Sequence, residues 1–297
     1  MSTVRNITAV TEAIQNPVRA HPVPYLSIRA SAGFAPLNLR EIWRFRDLLL
    51  TLALRDIKLR YKQTALGIAW VILQPLIAAG IFTFVFSSVA KLPSDGVPYM
   101  LFAFAGLLGW NLFSGIVTRI SVCLTGNSQL ISKVFFPRLV LPLSVVPSFL
   151  LDFVIALAML AVLILPRLSS VALGLPLLTF PLWIGLLILL AVGSGLYFAA
   201  LNVSYRDVQY VIPVAMQMLL YASPIPYAVS AVPERLRIYY YINPLASIIE
   251  GLRWSLLGKT SVPNWWAVAY SVAVCIIVFF AGAFIFKRME RKFADVI

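Results

Sequence analysis

The chain has 297 residues, 61% of them hydrophobic and only 12% charged, with a mean hydropathy of +0.91. A soluble domain carries about 25% charged residues, so this composition excludes an ordinary globular fold. The formal charge of +13 would suit a nucleic-acid binder, but the cations are placed by topology, and no nucleic-acid partner is expected.

In chain order, residues 1–37 hold no apolar core of about 7–15 residues, so no signal peptide is expected. Pro17, Pro22, Pro24 and Pro36 in this stretch predict a disordered cytoplasmic arm. From Asn38 to Lys62 the pattern changes. Arg40, Arg44, Asp47, Thr51, Arg55, Lys58 and Lys62 recur at steps of four and three, the polar stripe of an amphipathic helix. Asn38 can cap it, with Glu41 three residues on. A basic amphipathic helix beside a span is expected in the headgroup plane, in contact with membrane lipids.

Six apolar stretches follow, at about 64–90, 97–124, 139–165, 171–201, 210–230 and 265–286. A bilayer core needs about 20 apolar residues per helix. The predicted fold is therefore an all-α membrane protein with six transmembrane helices. Pro75 should bend the first span, and Pro142 and Pro147 the third. Pro213, Pro224 and Pro226 make the fifth short or broken. Ten of the 24 Lys and Arg lie at or before Lys62; Lys133 and Arg138 share one loop, Arg206 sits in another, and Lys287, Arg288, Arg291 and Lys292 end the chain. With both termini cytoplasmic these are inside, the positive-inside pattern of an inner-membrane protein. Lys91, Arg167, Arg235, Arg237, Arg253 and Lys259 fall outside.

Residues 231–264 are more than a loop. Pro233 to Tyr241 ends in aromatics, and Asn243-Pro244 starts a helix with Pro at its first position. The run to Trp254 is too short to cross, so two short re-entrant or interfacial helices are expected between the fifth and sixth spans. Gly258-Lys259-Thr260 imitates the end of a phosphate-binding loop, but Arg253 stands where the first glycine belongs and no strand precedes it.

Ionisable residues inside spans are functional candidates. Arg119 and Asp152 stand out, but their depths differ by roughly 13 Å, too far for a comfortable ion pair. Asp152 is either a proton site or a group meeting polar partners at a helix interface or in a watery cavity. One histidine and two dispersed cysteines, Cys123 and Cys275, leave no metal cluster and no disulfide framework. Neither a carboxylate dyad nor a Ser/His or Cys/His pairing supports an intramembrane enzyme. Phe102, Trp110 and Phe113 share one face of the second span, and Phe82 and Phe86 pair on the first. Flat rings stack on the C–H faces of sugars, so these positions are candidates to line a glycan conduit, against the alternative of lipid-facing or packing aromatics.

Three stretches carry a family resemblance. The run Leu54 to Trp70 contains Arg55, Lys58, Arg60, Tyr61, Lys62, Gln63 and Gly67 and is followed by Gln74-Pro75. Asn127 to Arg138 contains Ser128, Leu130, Ile131, Lys133, Phe135, Phe136 and Pro137. The third is Tyr239-Tyr240-Tyr241-Ile242-Asn243-Pro244-Leu245 with Glu250, Gly251 and Arg253. From about residue 38 onward the chain resembles the permeases of polysaccharide-exporting ABC transporters, which move O-antigen, capsule or teichoic acid on lipid carriers.

The resemblance implies a homodimer served by two copies of a cytoplasmic ATPase, with ATP and Mg on that partner and no cofactor in this chain. It makes Asn127–Arg138 the coupling segment that docks in the ATPase; read alone, the same loop is only a positive-inside turn. The make-up of the outer segment, with Tyr239, Tyr240, Tyr241, Asn243, Pro244 and Glu250, predicts a gate over the exit of the conduit, against the alternative of a rigid plug that only braces the sixth span. The competing reading is an ion-coupled secondary transporter using Asp152.

Overall fold

The computed structural model describes residues 39–62, 67, 69–171, 174–260 and 262–296. The arm expected at 1–37, the Asn38 cap and Gln63 of the basic run lie outside the described residues. All regular structure among them is helical. Helices α1 (Leu39–Arg44) and α2 (Arg46–Lys62) precede α3 (Ala69–Phe82), which a π-helical turn, Thr83–Val89, continues. Then come α4 (Tyr99–Ser121), a short α5 (Ser128–Lys133) and α6 (Val140–Ile164). They are followed by α7 (Phe180–Ser204), α8 (Val208–Ala222), α9 (Glu234–Tyr240), α10 (Pro244–Leu257) and α11 (Trp265–Val296).

Among the described residues, five helices are long and apolar enough to cross a bilayer: Ala69–Val89, Tyr99–Ser121, Val140–Arg167, Leu175–Ser204 and Trp265–Glu290. The fifth predicted span is different. It is α8, a helix of 15 residues, about 22 Å at 1.5 Å per residue against a hydrocarbon core of about 30 Å. Its end has a local cause. Pro224 pushes the preceding residue out of the α region, and Ser223 is accordingly extended, with φ −110 and ψ 156. Pro147 does lie inside α6, but Pro142 falls in its first turn, where the missing N–H costs nothing.

Helix α4 is the axis of the bundle, packing against α3, α6, α7 and α10. Its Phe102, Phe104, Leu108, Ile116 and Ile120 are almost fully buried. Lipid tails are as apolar as leucine, so association here rests on close van der Waals fit. Where α7 crosses α11 that fit requires glycine: a Cβ on Gly193 would stand 2.5 Å from the Phe279 Cα. Helix α10 starts as the sequence predicts. The Asn243 side chain accepts from the Leu245 N–H at 3.1 Å and donates to Ser223 Oγ at 2.8 Å, and Pro244 takes the first turn.

Candidate functional site

At one end of the bundle α2 packs along α6. Leu52 and Ala53 form its buried contact face, while Arg44, Asp47, Thr51, Lys58 and Lys62 of the predicted stripe are exposed. The same outer surface bears Trp43, Leu50, Leu54 and Leu59. Arg60 and Tyr61 reach Asp152 on α6: Arg60 Nη1 lies 2.7 Å from Oδ2, and the Tyr61 hydroxyl donates to Oδ1. Arg60 also lies over the Phe149 ring, 4.4 Å from its centroid. Burial, and then the bond to the carboxylate, raise the Tyr61 phenol well above its ordinary range. The expectation that Asp152 meets polar groups at a helix interface is thus met, with partners that a comparison with Arg119 alone overlooks. Gly67 and Trp70 lie at the entrance to α3, and Trp70 is half exposed.

The segment Asn127–Arg138 is tied down at both ends. Asn127 accepts from Arg55 Nη2 at 3.0 Å and donates to the Cys123 carbonyl at 2.8 Å. Arg55 also pairs with Asp56 at 3.0 Å, so the expected outward-facing Arg55 is turned in to bridge α2 and the loop. Arg138 donates to the Glu290 carbonyl, and Glu290 pairs with Lys287 at 2.6 Å, which ties the loop's far end to α11. Between these anchors runs α5, with Ser128, Leu130 and Ile131 partly covered and Lys133 exposed. Pro137 is partly covered as the chain turns into α6. The two phenylalanines differ sharply: Phe135 is 62% exposed, whereas Phe136 is 6% exposed. Phe136 is therefore a core residue of this chain, because the loop must fold inward to begin α6. The ring open to a partner is Phe135.

At the other end, the buried Arg253 holds three backbone carbonyls. It donates from Nε to Phe102 O at 3.0 Å, from Nη2 to Ile225 O at 2.6 Å and from Nη1 to Pro224 O. Its guanidinium lies 3.7 Å from the centroid of the Phe102 ring. Gly106 leaves the space, since a Cβ there would run into the guanidinium. One side chain thereby ties α10, α4 and the turn after α8 together. Burial lowers Arg253 to about 10, still protonated at neutral pH.

One turn earlier, Glu250 is buried and accepts from the Tyr241 hydroxyl at 3.1 Å. Burial pushes its carboxyl up to about 7, against the opposing pull of Tyr241 and Arg253. Tyr240 packs on Tyr227 with ring centroids 5.9 Å apart. Tyr239 alone of the three tyrosines points out, 69% exposed.

Three of the five predicted conduit rings are packed away. Phe102, Trp110 and Phe113 are 1%, 6% and 4% exposed, consumed by the packing of α4 against its neighbours. Phe82 and Phe86 are partly buried and meet edge to face, with centroids 5.6 Å apart. The open side of α4 is the opposite one, which its aromatic spacing does not mark. Its open positions are Asn111, Ser114, Gly115, Thr118 and Arg119, a polar stripe that helical spacing alone could have found. Arg119 is exposed there and is not among the partners of Asp152. Among the described residues no group of His, Cys, Asp and Glu could hold a metal ion.

A family model for ABC-2 type transporters matches residues 47–257, which takes in the α2–α6 contact, the tethered loop and the Arg253 cluster. The chain is similar to the O-antigen export system permease protein RfbA of Klebsiella pneumoniae, 31% identical over 256 residues, covering 84% of this chain and 95% of that protein. It is 28% identical over 268 residues to the O-antigen export system permease protein RfbA of Myxococcus xanthus, covering 87% and 98%. The polysialic acid transport protein KpsM of Escherichia coli is 26% identical over 243 residues, covering 81% and 92%. The family match covers well over half of the chain, and the chain belongs to the ABC-2 type transporter family, as a multi-pass membrane protein.

Proposed function

We propose that this chain is the permease subunit of an ABC transporter that exports a lipid-linked polysaccharide of O-antigen type across the inner membrane. The carrying observation is similarity to permeases so named along 84% of this chain and 95% of the relative. In this reading the chain has no ATPase activity. A homodimer forms the conduit, and two copies of a cytoplasmic ATPase, holding ATP and Mg, drive it. Helix α8 completes a set of six spans as a short crossing. Residues 1–37 form a cytoplasmic arm ahead of an exporter domain at 38–297, and both termini are cytoplasmic.

Helices α1 and α2 form the interface helix, with the exposed Lys58 and Lys62 toward lipid headgroups. The tethered loop Asn127–Arg138 takes up the ATPase stroke: its anchors, Arg55 on α2 and Glu290 on α11, suit a segment that passes displacement on to the spans. The outer helices α9 and α10 act as a re-entrant gate. An ion-coupled mechanism finds less support, because the acid it would use is already held by Arg60 and Tyr61.

Deletion of this gene together with that of its ATPase, and complementation with the chain with and without the ATPase, tests the reading. Surface polysaccharide should vanish on deletion and return only with both subunits and an intact ATP site. Export that persists without ATP hydrolysis but collapses with the proton gradient would reject it.

A further inference from the structure

Building on the polysaccharide-permease reading, we propose that the cavity between α2, α3, α4 and α6 is a binding subsite for neutral sugar residues of the glycan. Between Leu101 and Ser121 every residue of α4 is buried except Asn111, Ser114, Gly115, Thr118 and Arg119. These recur at alternating steps of three and one, a single helical stripe. A face turned to lipid would be apolar, and each of these five is polar or glycine.

A cavity of about 320 Å³ opens at the Asn111 end of the stripe. Trp70, Gln74 and Asn111 mark its mouth, all exposed. Neither carboxamide has a hydrogen-bond partner among the described residues. Polar groups at bilayer depth need partners, from protein, water or ligand.

The charges on the wall cancel. Arg60 and Asp152 are 2.7 Å apart, with Tyr61 on the second carboxylate oxygen, so a phosphate headgroup finds no uncommitted cation lining the cavity. A polyol finds what it needs. Carboxamides offer donors and acceptors in one plane, and the carboxylate and guanidinium keep spare lone pairs and N–H groups. Trp70, Tyr61 and Phe149 supply flat faces for sugar C–H groups. The volume lies at the lower end of small-molecule sites, suiting about one or two sugar rings. Contacts of this neutral kind hold a passing chain without trapping it, which sequential transport demands.

The test uses the full permease with its ATPase in cells that are exporting. A photoreactive benzoylphenylalanine replaces Asn111, and cells are irradiated during export. The expected product is a permease species of raised mass that a glycan stain labels and periodate destroys. Capture of phospholipid alone would overturn the subsite, and so would no glycan capture in cells that still export. Should the bulky probe at position 111 stop export, the same reagent at Gln74 is read instead. Asn111→Leu and Gln74→Leu should each slow export about five-fold, the loss of roughly one neutral hydrogen bond. Unaltered export in both would also overturn it. The underlying export reading fails by a different result: surface glycan undiminished when the gene is deleted.

Discussion

The Arg60 guanidinium meets the Asp152 carboxylate at 2.7 Å, although one residue lies in the last turn of α2 and the other sits midway along α6. Asp152 is about 18 Å along α6 from Val140 at 1.5 Å per residue. Helix α2 therefore reaches well past the start of α6. The pair also has a consequence for mechanism. A carboxylate already bonded by a cation and a phenol is a fixed point between two helices, poorly suited to picking up and releasing protons.

Asp152→Asn keeps an acceptor for Tyr61 and cannot carry a proton. ATP-driven export should survive it. Asp152→Ala strands Arg60 and Tyr61, and it should destabilise the purified permease by about 1–3 kcal/mol, below a fully buried pair because solvent screens Arg60. Thermal unfolding of Asp152→Ala, Arg60→Ala and the double variant would measure the coupling. Additive losses would mean that the contact contributes nothing. Loss of export in Asp152→Asn with ATPase turnover intact would make the carboxylate essential.

The two phenylalanines of the tethered loop should separate docking from folding. Phe135→Ala removes the exposed ring and should weaken ATPase co-purification while leaving the melting temperature near that of the wild type. Phe136→Ala opens a hole in the permease core and should cost about 3–5 kcal/mol, seen as poor yield and early melting. Equal ATPase binding by Phe135→Ala and wild type would exclude that ring as the docking anchor.

Much of the fold could be read from the chain because apolar length and proline placement act locally. Pro224 ends α8, and Asn243-Pro244 starts α10, in both cases through the geometry of one or two residues. The charge pairs were less accessible. Arg60 and Asp152 come from separate helices, and only the docking of α2 on α6 brings them together. The rings were misread for a related reason. Phe102, Trp110 and Phe113 and the polar stripe from Asn111 to Arg119 lie on opposite sides of α4, and periodicity cannot say which side its neighbours cover. Arg253 looked like an ordinary outer charge, since nothing local announces three distant carbonyls.

Gly106→Ala should unsettle the Arg253 cluster. The added methyl occupies the guanidinium's place, and releasing that group leaves buried carbonyls and a buried cation short of partners. A loss of about 2–4 kcal/mol is expected, read as lower melting of the purified permease. Arg253→Lys should be nearly as harmful, because an ammonium cannot reach three carbonyls in one plane and lie flat on Phe102. Unchanged melting of Gly106→Ala would show that the guanidinium has room to move aside.

Glu250 makes stability depend on pH. Its carboxyl is raised from 4.5 to about 7 in the folded chain, so folding favours the protonated form. The stabilisation is complete below 4.5, falls as pH rises through about 7, and is flat above. The swing is at most about 3 kcal/mol. The wild type should melt at a higher temperature at pH 5 than at pH 7.5, and Glu250→Gln should lose part of that difference. An identical pH profile in the variant would remove Glu250 as its source.

The outer segment offers the last test. Tyr241 is committed to Glu250 and Tyr240 packs on Tyr227, which leaves Tyr239, with Leu236 and Ile238, on the exposed side of α9. If two copies face each other across a conduit, this apolar ridge is the part that can close its outer mouth. Both native cysteines are buried, so a Tyr239→Cys variant carries one accessible thiol per copy. Oxidation should give a cross-linked dimer that no longer exports, and reduction should restore export in the same cells. Undiminished export with the cross-link complete would reduce α9 to a brace for α11. Failure to cross-link in an active permease would show that the two ridges do not meet, and the gate would have to be sought elsewhere.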